Sequence, residues 1–445
     1  MSDNAQLTFA AHTLGCKVNQ CDTEALLAKL TDAGMAMREF KQPADVYIIN
    51  TCTVTHTGDK KSLQMIRRAR RQNQSAFVAV CGCMPRGQAD SASKIAASGA
   101  DFTFDTRKPE VLLAKLEEFY PGLISRNKDI CKTHESPAIN VRTRAFIKIQ
   151  DGCNRFCTYC IVPYVRGPVV SRPLADIADE AARHISRGVK EIMITGIQVA
   201  AYGYDTDSKS VSTAGEATAL PSLIKHISGL SPARLRLSSI DPWAVDDAFL
   251  DAIRNSPTLC DHFHLSLQSG NDATLARMNR RYTTADYAVA ASKLKNIRPN
   301  MALTTDIIVG FPGESDEDFS QSLQFANEIG FARIHVFEYS PRAGTPAAEM
   351  PCQVPSHVKT ARGKEMRALA NSLEQRFLQS QVGKVVPVLF ETKTHESSNP
   401  SAPEIWQGHT TNYCLVNAQG TSLSNTEKYV QITGIKDDGL TGVLQ

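Results

Sequence analysis

The chain has no long apolar run and no apolar segment behind a cationic start. A helix that spans a bilayer needs about 18 or more largely apolar residues, and no stretch of the sequence approaches that length. The first residues, MSDNAQLTFAAHTLG, contain no cationic region followed by a hydrophobic core, so no signal peptide is expected. We therefore expect a cytoplasmic protein with no membrane partner.

An excess of charge of either sign is also missing. Lysine and arginine total 49 against 46 acidic residues, which gives a formal net charge of +3. The two signs are nearly balanced, so bulk charge does not indicate a nucleic-acid partner. The substrate therefore cannot be inferred from the net charge. With 42% hydrophobic and 21% charged residues among 445, the composition is that of an ordinary globular protein with two or three domains.

Cysteine is abundant. In a chain of this length without export features, twelve cysteines favour metal binding or redox chemistry over disulfides. Cys153, Cys157 and Cys160 form a Cys-x₃-Cys-x₂-Cys run inside FIKIQDGCNRFCTYCIVPYVRG, directly after an apolar strand. Three thiolates leave one iron of a [4Fe–4S] cluster without a protein ligand, and such an iron can bind and reduce a small molecule.

Two other interpretations of this run are weaker. A structural zinc site needs a fourth ligand close by. Three cysteines within eight residues are too reactive to serve only for packing in a reducing cell. The run therefore predicts a cofactor-activating cluster.

Three more cysteines follow predicted strands in the first third of the chain. Cys16 lies in LGCKVNQ, Cys52 in NTCTVTHTGDK and Cys83 in CGCMPR, after the strands LTFAAHTLG, DVYIIN and AFVAVCG. The carboxyl ends of neighbouring parallel strands meet at one crevice of an open α/β sheet. We therefore expect these cysteines to hold a second cluster that also has one unligated iron.

The remaining cysteines are predicted to be buried small hydrophobic residues or incidental thiols. They are Cys21, Cys81, Cys131, Cys260, Cys352 and Cys414. Cys81 lies two residues before Cys83 and could compete with it as a ligand.

The pattern of strands and helices predicts an α/β protein in three parts. Residues 1–120 alternate strands with helices such as DTEALLAKLTDAG and DKKSLQMIRRARRQN, which predicts an open parallel-sheet domain. Residues 121–140 resemble a linker, and residues 141–378 predict a central partial (β/α)6 barrel, whose chemistry would lie at the carboxyl ends of the strands. Residues 379–445 predict a small C-terminal β-barrel.

These motifs resemble one family over nearly the whole chain. The Cys153 run is similar to that of radical S-adenosylmethionine enzymes, and the segments around Cys16, Cys52 and Cys83 resemble the auxiliary-cluster half of the methylthiotransferases. GCKVNQ is most similar to the subgroup that acts on threonylcarbamoyl-adenosine beside the tRNA anticodon. The C-terminal barrel, with WQGHTTNYCLV, resembles the RNA-binding TRAM domain.

The resemblance implies two [4Fe–4S] clusters and S-adenosylmethionine as cofactors. The cluster on Cys153, Cys157 and Cys160 would hold and cleave S-adenosylmethionine, and the cluster in the first domain would carry the sulfur that is methylated and transferred. Gly196 in ITGIQVAAYG, Ser238 in RLSSIDP and Gln268 in HLSLQSG would contact the cofactor. Each of these three could instead serve a helix cap or a turn.

A basic segment follows Cys52. Its cationic side chains could neutralise the phosphates of RNA without reading sequence, although charge runs are usually solvated helix faces. The residues are Lys60, Lys61, Arg67, Arg68, Arg70 and Arg71. Few acidic residues lie within the segment, which favours a role in RNA binding.

The sequence thus predicts an enzyme that transfers a methylthio group to C2 of N6-threonylcarbamoyladenosine at position 37 of tRNA. Other members of the resembled family act on isopentenyladenosine in tRNA or on an aspartate of a ribosomal protein. Two other classes stay open: a non-catalytic iron–sulfur RNA-binding protein, and a radical enzyme with one cluster. The expected partners are tRNA and a reducing electron donor that the sequence does not identify, and the chain is expected to be a monomer.

Overall fold

The computed structural model describes residues 6–87, 89–123, 143–205, 219–394, 404–437 and 439–445, with only the backbone at His56. The predicted linker, residues 121–140, lies outside the described residues from 124 onward, and so does Cys131.

Seventeen strands are assigned in the described residues. They are β1 (Thr8–Thr13), β2 (Ala36–Met37), β3 (Val46–Thr51), β4 (Phe77–Gly82), β5 (Phe102–Thr103), β6 (Arg144–Asp151), β7 (Val170–Ser171), β8 (Glu191–Gly196), β9 (Arg234–Leu237), β10 (His262–His264), β11 (Ala302–Val309), β12 (Arg333–Glu338), β13 (Val385–Lys393), β14 (Ile405–Thr410), β15 (Leu415–Gln419), β16 (Thr426–Lys436) and β17 (Gly439–Leu444).

The helices alternate with these strands. They are α1 (Lys17–Asp32), α2 (His56–Gln72), α3 (Ser91–Ala97), α4 (Pro109–Phe119), α5 (Val162–Arg166), α6 (Leu174–Ser186), α7 (Leu220–Gly229), α8 (Asp247–Arg254), α9 (Asp272–Arg277), α10 (Thr284–Ile297), α11 (Asp316–Ile329), α12 (Pro346–Glu349) and α13 (Ser356–Gln379). Short 3₁₀ turns lie at Met84–Arg86, Val199–Ala201 and Pro242–Ala244. In the described part of the chain, no helix has both the length and the apolar character needed to cross a bilayer.

The N-terminal sheet is parallel, with the strand order β2-β1-β3-β4-β5. Strand β3 is buried along its whole length, as expected of a parallel sheet covered on both faces. One face packs around Phe9, Ile48 and Ala79, and the other around Tyr47 and Val80. The predicted open parallel-sheet domain is confirmed.

Helices α1 and α2 begin earlier than the sequence indicated. The predicted helices started at Asp22 and Asp59, whereas α1 begins at Lys17 and α2 begins one residue after Thr55. Thr55 ends the Cys52 loop because its side chain accepts a hydrogen bond from the Gly58 N–H at 3.1 Å, which is an N-cap. Both helices therefore start directly behind a cysteine loop.

The central region is a partial barrel of six parallel strands. Strands β6, β8 and β9 form one sheet with β7 at its edge, and β10, β11 and β12 form another. Parallel bridges from Leu235 to Leu259 and from Ile240 to Leu265 connect β9 to the β10 segment. The strands share one apolar core with the helices outside them, so the predicted (β/α)6 arrangement is confirmed.

The C-terminal strands form a closed five-stranded barrel in the order β13-β14-β15-β17-β16. All pairs are antiparallel except β15 with β17, and Phe390, Val416 and Val430 fill the interior. Closure leaves no strand edge unpaired. The predicted small β-barrel is confirmed.

A buried ion network lies at the amino ends of the central strands, against the C-terminal barrel. Glu191 and Arg236 are both fully buried and are joined by two contacts of 2.9 and 3.0 Å, and Arg144 binds the same carboxylate. The Tyr413 ring lies 4.6 Å from the Arg236 guanidinium and stacks on His409. The C-terminal barrel therefore closes the end of the partial barrel that is opposite to the carboxyl ends of its strands.

Packing divides the chain into two compact units. The first contains Met1–Ile139, Asp151–Pro168 and Ser340–Ala348, and the second contains the remaining residues. All six predicted cluster cysteines belong to the first unit, although the predicted linker at residues 121–140 separates the two sets in sequence.

Candidate functional site

Cys16, Cys52 and Cys83 follow the ends of three neighbouring parallel strands, β1, β3 and β4. Hydrogen bonds between the flanking residues hold the three loops together. The Asn19 amide donates to the carbonyl oxygens of Leu14 at 2.7 Å and Thr51 at 3.0 Å. The Thr51 hydroxyl in turn donates to the Cys81 carbonyl oxygen at 2.6 Å and accepts from the Met84 N–H at 3.2 Å.

Gly82 is required by the conformation of the Cys83 loop. Its φ of +91° is unfavourable for other residues, and a Cβ there would lie 2.7 Å from the Thr51 amide nitrogen and closer still to Asn50 Oδ1. The chain therefore turns sharply between Cys81 and Cys83, and the two side chains enter different surroundings.

Cys81 is a core residue. Its side chain is fully buried in the same apolar cluster as Phe9 and Ile48, and this burial raises the pKa of the Cys81 thiol strongly. Cys83 instead packs against Ile161 and Val165 of the second cysteine loop and α5. Position thus favours Cys83 over Cys81 as a ligand.

The thiols of Cys16, Cys52 and Cys83 form an electrostatically coupled group. Burial raises the pKa values of the Cys52 and Cys83 thiols, Cys16 adds to both shifts, and Cys52 adds to the shift of Cys83. Ligands of one zinc ion, with bonds of about 2.3 Å, have sulfurs roughly 4 Å apart. Among the described residues, Cys16, Cys52 and Cys83 do not form a group whose ligand atoms all lie within 4.8 Å of one another.

The second cysteine loop, Cys153 to Cys160, is held by its own backbone. The Cys153 N–H donates to the Gly167 carbonyl oxygen at 3.0 Å, and the Cys160 N–H donates to the Cys157 carbonyl oxygen at 2.9 Å. A Cβ on Gly152, whose φ is +72°, would lie 2.7 Å from the same Gly167 oxygen. The loop is thus closed between Gly152 and Gly167 with its three cysteines inside.

Arg166 connects the two cysteine sets, and the sequence analysis did not single it out. Its guanidinium is buried, donates to both carboxylate oxygens of Asp151 at 2.9 and 3.0 Å and lies 3.3 Å from Asp22 Oδ2. It also donates to Asn19 Oδ1, and its positive charge opposes the rise in the pKa of the Cys83 thiol that burial causes. Burial lowers the pKa of Arg166, but the anionic groups outweigh it and raise this pKa, so the side chain stays cationic.

Arg342 has a similar role at the Cys52 loop. It is buried, donates to Asp59 Oδ2 at 2.5 Å and donates to the Thr53 hydroxyl. Its own segment also reaches the second loop, because the Ala347 N–H donates to the Thr158 carbonyl oxygen at 2.9 Å. Arg166 and Arg342 both lie in motif strings, IVPYVRG and PRAGTPA, and neither has an acid beside it in sequence. The lack of an acidic neighbour in sequence was the signal that could have drawn attention to these two arginines.

The predicted cofactor contacts lie at the carboxyl ends of consecutive strands in the second unit. Gly196 ends β8 beside Gln150, and the packing there is close, since a Cβ would lie 3.0 Å from Gln150 Oε1. Ser238 follows β9, and its N–H donates to the Ile194 carbonyl oxygen at 2.9 Å.

Gln268 has an unusual backbone. Its φ is +74°, which is rare for a residue with a Cβ, and it is held there by backbone bonds to Asp306 and Ile308, both 2.9 Å long. Such strained positions are often found at ligand sites.

The basic segment is the exposed side of α2. Lys60, Lys61, Arg67 and Arg71 are exposed and form no ion pair with any residue that the structure describes, whereas Arg68 is half-buried. Positions 60, 67 and 71 share a helical face, and the opposite face packs on the sheet.

Arg70 must be separated from that set. Its guanidinium donates to the carbonyl oxygens of Gly99, Gln74 and Ala76 and pairs with Asp101 at 2.5 Å. These partners lie outside α2. The absence of acidic residues within the basic segment therefore did not show that Arg70 is paired. Arg70 ties α2 to its neighbours and has no free donors directed at a phosphate.

A three-cysteine loop at the end of the first strand of a partial barrel defines the radical S-adenosylmethionine class. Residues 147–326 match the Radical SAM superfamily, and residues 8–104 match the Uncharacterized protein family UPF0004. The MtaB threonylcarbamoyladenosine tRNA methylthiotransferase of Bacillus subtilis (strain 168) is 38% identical over 421 residues, which cover 93% of this chain and 91% of that protein. The chain belongs to the methylthiotransferases of the radical SAM superfamily.

A second group of relatives carries a different name. The tRNA-2-methylthio-N(6)-dimethylallyladenosine synthase of Pelotomaculum thermopropionicum is 33% identical over 97% of this chain and 96% of its own length. Among solved structures, TsrM from Kitasatospora setae, a radical S-adenosylmethionine methyltransferase with cobalamin and a [4Fe-4S] cluster bound, has a TM-score of 0.56 at 14% identity and covers 77% of both chains. The predicted cofactor classes, an iron–sulfur cluster and S-adenosylmethionine, are confirmed by membership of the superfamily.

Proposed function

We propose that this enzyme transfers a methylthio group to C2 of N6-threonylcarbamoyladenosine at position 37 of tRNA. The observation that carries the reaction type is the placement of all six cysteines in one compact unit. The substrate is supported by the 38% identity to the Bacillus subtilis relative named for threonylcarbamoyladenosine tRNA, against 33% for the relative named for dimethylallyladenosine.

Each cysteine set has the features of a three-ligand cluster site. Cys153, Cys157 and Cys160 would hold one [4Fe–4S] cluster, and Cys16, Cys52 and Cys83 would hold another, each with one iron open. When bound, the first cluster and S-adenosylmethionine together supply a carbon-centred radical that removes hydrogen from an unactivated carbon.

The protein's own residues orient these ligands. Arg166 fixes Asp151, two residues before Cys153, and binds Asn19 beside Cys16, so one buried cation connects the loops of both sets and acts electrostatically on Cys83. Arg342 fixes the Cys52 loop through Asp59 and Thr53. Hydrogen bonds to a ligand sulfur adjust the electronic properties of an iron–sulfur cluster.

Three residues at strand ends of the partial barrel complete the cofactor site in this proposal. Gly196, Ser238 and Gln268 would approach S-adenosylmethionine. Their support is the shared location at strand ends and the strained backbone of Gln268.

RNA binding is assigned to two surfaces. The first is the exposed face of α2 with Lys60, Lys61, Arg67 and Arg71, whose charges are not neutralised by described residues. The second is the C-terminal barrel, for which the proposed TRAM-like role rests on its closed five-stranded architecture. In this proposal the chain consists of a methylthiotransferase domain (1–120), a linker (121–140), a radical SAM partial barrel (141–378) and a TRAM-like barrel (379–445).

The remaining assignments follow from the substrate. An enzyme that modifies tRNA is expected in the cytoplasm, and we propose that it acts there as a monomer with a reducing electron donor. Light scattering of the reconstituted protein tests the oligomeric state.

The test is nucleoside analysis of tRNA. Cells that lack their own enzyme for this modification should gain 2-methylthio-N6-threonylcarbamoyladenosine when they express this chain. The variant with Cys153, Cys157 and Cys160 replaced by alanine should leave the unmethylthiolated nucleoside. Replacement of Cys16, Cys52 and Cys83 by alanine should also abolish the product.

The alternatives give different results in the same experiment. Appearance of the 2-methylthio form of isopentenyladenosine instead would reassign the substrate. Product formation without Cys16, Cys52 and Cys83 would indicate a one-cluster enzyme. A protein that only binds RNA and clusters would release no 5′-deoxyadenosine from S-adenosylmethionine under strong reductant.

A further inference from the structure

Two histidines and an aspartate lie together on three adjacent strands of the partial barrel. They are His264 on β10, Asp306 on β11 and His335 on β12, and one ligand atom from each lies within 4.8 Å of the other two. In the sheet register Asp306 is directly opposite His335, and His264 is opposite Thr304.

The three side chains share one face of this sheet. Their strand neighbours Leu265, Ile307 and Ile334 are buried in the apolar core that the strands share with the outer helices. Since side chains alternate along a strand, His264, Asp306 and His335 face away from that core. The placement is therefore fixed by the backbone and does not depend on a flexible loop.

His264 is oriented in the way that metal ligands usually are. Its Nδ1 is 3.1 Å from the Thr304 hydroxyl, which fixes the ring, and ligating histidines normally use their other nitrogen for such a bond. Its Nε2 is buried and makes no hydrogen bond to any described residue, although Asp306 Oδ2 lies 3.3 Å away. A buried ring nitrogen without a hydrogen bond is costly unless it has another ligand.

The surroundings suit a cation. The His335 ring is exposed and stacks on His264 at a centroid distance of 5.9 Å with 25° between the planes. The Arg333 guanidinium on the same strand as His335 is neutralised by Glu374 at 2.5 and 2.8 Å, so Asp306 provides the uncompensated charge.

We infer that His264, Asp306 and His335 form a binding site for one divalent first-row cation of the zinc or manganese type. Two imidazoles and a carboxylate on one side of a metal leave coordination positions open for water or another oxygen ligand. Bonds of about 2.0–2.2 Å place ligand atoms roughly 3–4 Å apart, so side-chain rotations would close the present set around the ion. The exposed His335 gives the ion access from solvent.

The site contains no cysteine, and this difference in ligand type makes the experiment selective. Protein with reconstituted clusters is washed with chelator, desalted and titrated with MnCl₂ while the EPR signal of free Mn²⁺ is followed. About one equivalent should bind, because Mn²⁺ prefers nitrogen and oxygen ligands to thiolates. Zinc and iron contents of a zinc-supplemented sample are measured in parallel by mass spectrometry.

The variants separate this site from other metal binding. Asp306→Asn and His335→Ala should each weaken Mn²⁺ binding by roughly 30-fold or more, and Thr304→Val by roughly 10-fold, with iron content unchanged. His226→Ala, at an exposed histidine of α7, is the matched control and should bind like the wild type. Asp306→Asn is nearly isosteric, so it remains informative if His335→Ala folds poorly. Equal binding by wild type and Asp306→Asn, or no bound Mn²⁺ and no zinc in the wild type, would overturn the assignment.

Discussion

Arg166 and Asp151 form an ion pair in which one guanidinium nitrogen lies within 3.0 Å of both carboxylate oxygens. Both residues are buried, and the same guanidinium also contacts Asp22 and Asn19. A single cation thus compensates two carboxylates at the junction of the two cysteine sets.

Replacing Arg166 by glutamine should destabilise the protein by about 3–5 kcal/mol, because Asp151 and Asp22 would be left buried without a counter-charge. Lysine should recover only part of this loss, since it keeps the charge but cannot form the planar fork. Anaerobic urea unfolding measures the free energy. Arg183→Gln on the exposed side of α6 is the control and should change it by less than about 0.5 kcal/mol. An equal result for Arg166→Gln and Arg183→Gln would contradict the role of the ion pair.

Gly82→Ala should remove the first-domain cluster while leaving the other in place. A Cβ at this position has no room beside Asn50 and Thr51, and φ is +91°, so the Cys83 loop has to move. We expect about half of the wild-type iron and acid-labile sulfide after reconstitution. Gly229→Ala is the control, because a Cβ there meets nothing within 4 Å. Full iron content in Gly82→Ala would show that the loop tolerates the change.

Glu191 should contribute stability that depends on pH. Burial alone would raise the pKa of this carboxyl, but Arg236 and Arg144 outweigh burial and lower the pKa from 4.5 to about 2. A carboxyl with a lowered pKa stabilises the fold above its unfolded pKa, and this contribution is lost as pH falls toward the folded pKa. The contribution at neutral pH is roughly 3 kcal/mol at about 1.4 kcal/mol per pKa unit.

The measurement compares Glu191→Gln with the wild type in urea at several pH values. The variant should be less stable at pH 7, and the difference should shrink as pH falls below 4.5. Glu118→Gln, at an exposed ion pair with Lys115, should show little difference at any pH. A difference for Glu191→Gln that stays constant with pH would mean that ionisation of Glu191 is not the cause.

The exposed face of α2 should govern how tRNA binding depends on salt. With Lys60, Lys61, Arg67 and Arg71 changed to alanine, the affinity should fall by roughly 10-fold or more, and the slope of log affinity against log salt should lose about 3 units. Filter binding at several salt concentrations measures both. Arg70→Ala should instead lower stability, since Arg70 binds three carbonyl oxygens and Asp101. An unchanged slope in the fourfold variant would exclude this face from RNA contact.

Local patterns were sufficient for the elements and for most of the candidate ligands. Apolar runs predicted β1, β3 and β4, and the spacing of Cys153, Cys157 and Cys160 alone indicated a cluster. The starts of α1 and α2 were placed too late, because the caps lie inside loops whose sequence looks irregular. The polar network among Asn19, Thr51 and Met84 could not be read from sequence, since it joins residues from three separate strand ends.

The sequence by itself determined the reaction class, because cysteine spacing and strand-end position are local properties that the backbone period converts into geometry. Only the tertiary structure decided which cationic side chains are available to a ligand and which already bind other groups of the protein. Arg70 is consumed by carbonyl oxygens and Asp101, while Arg166 is buried against Asp151 and Cys83. A side chain's partners come from whichever elements the fold brings beside it, and those contacts between distant parts of the chain leave no periodic trace in the sequence.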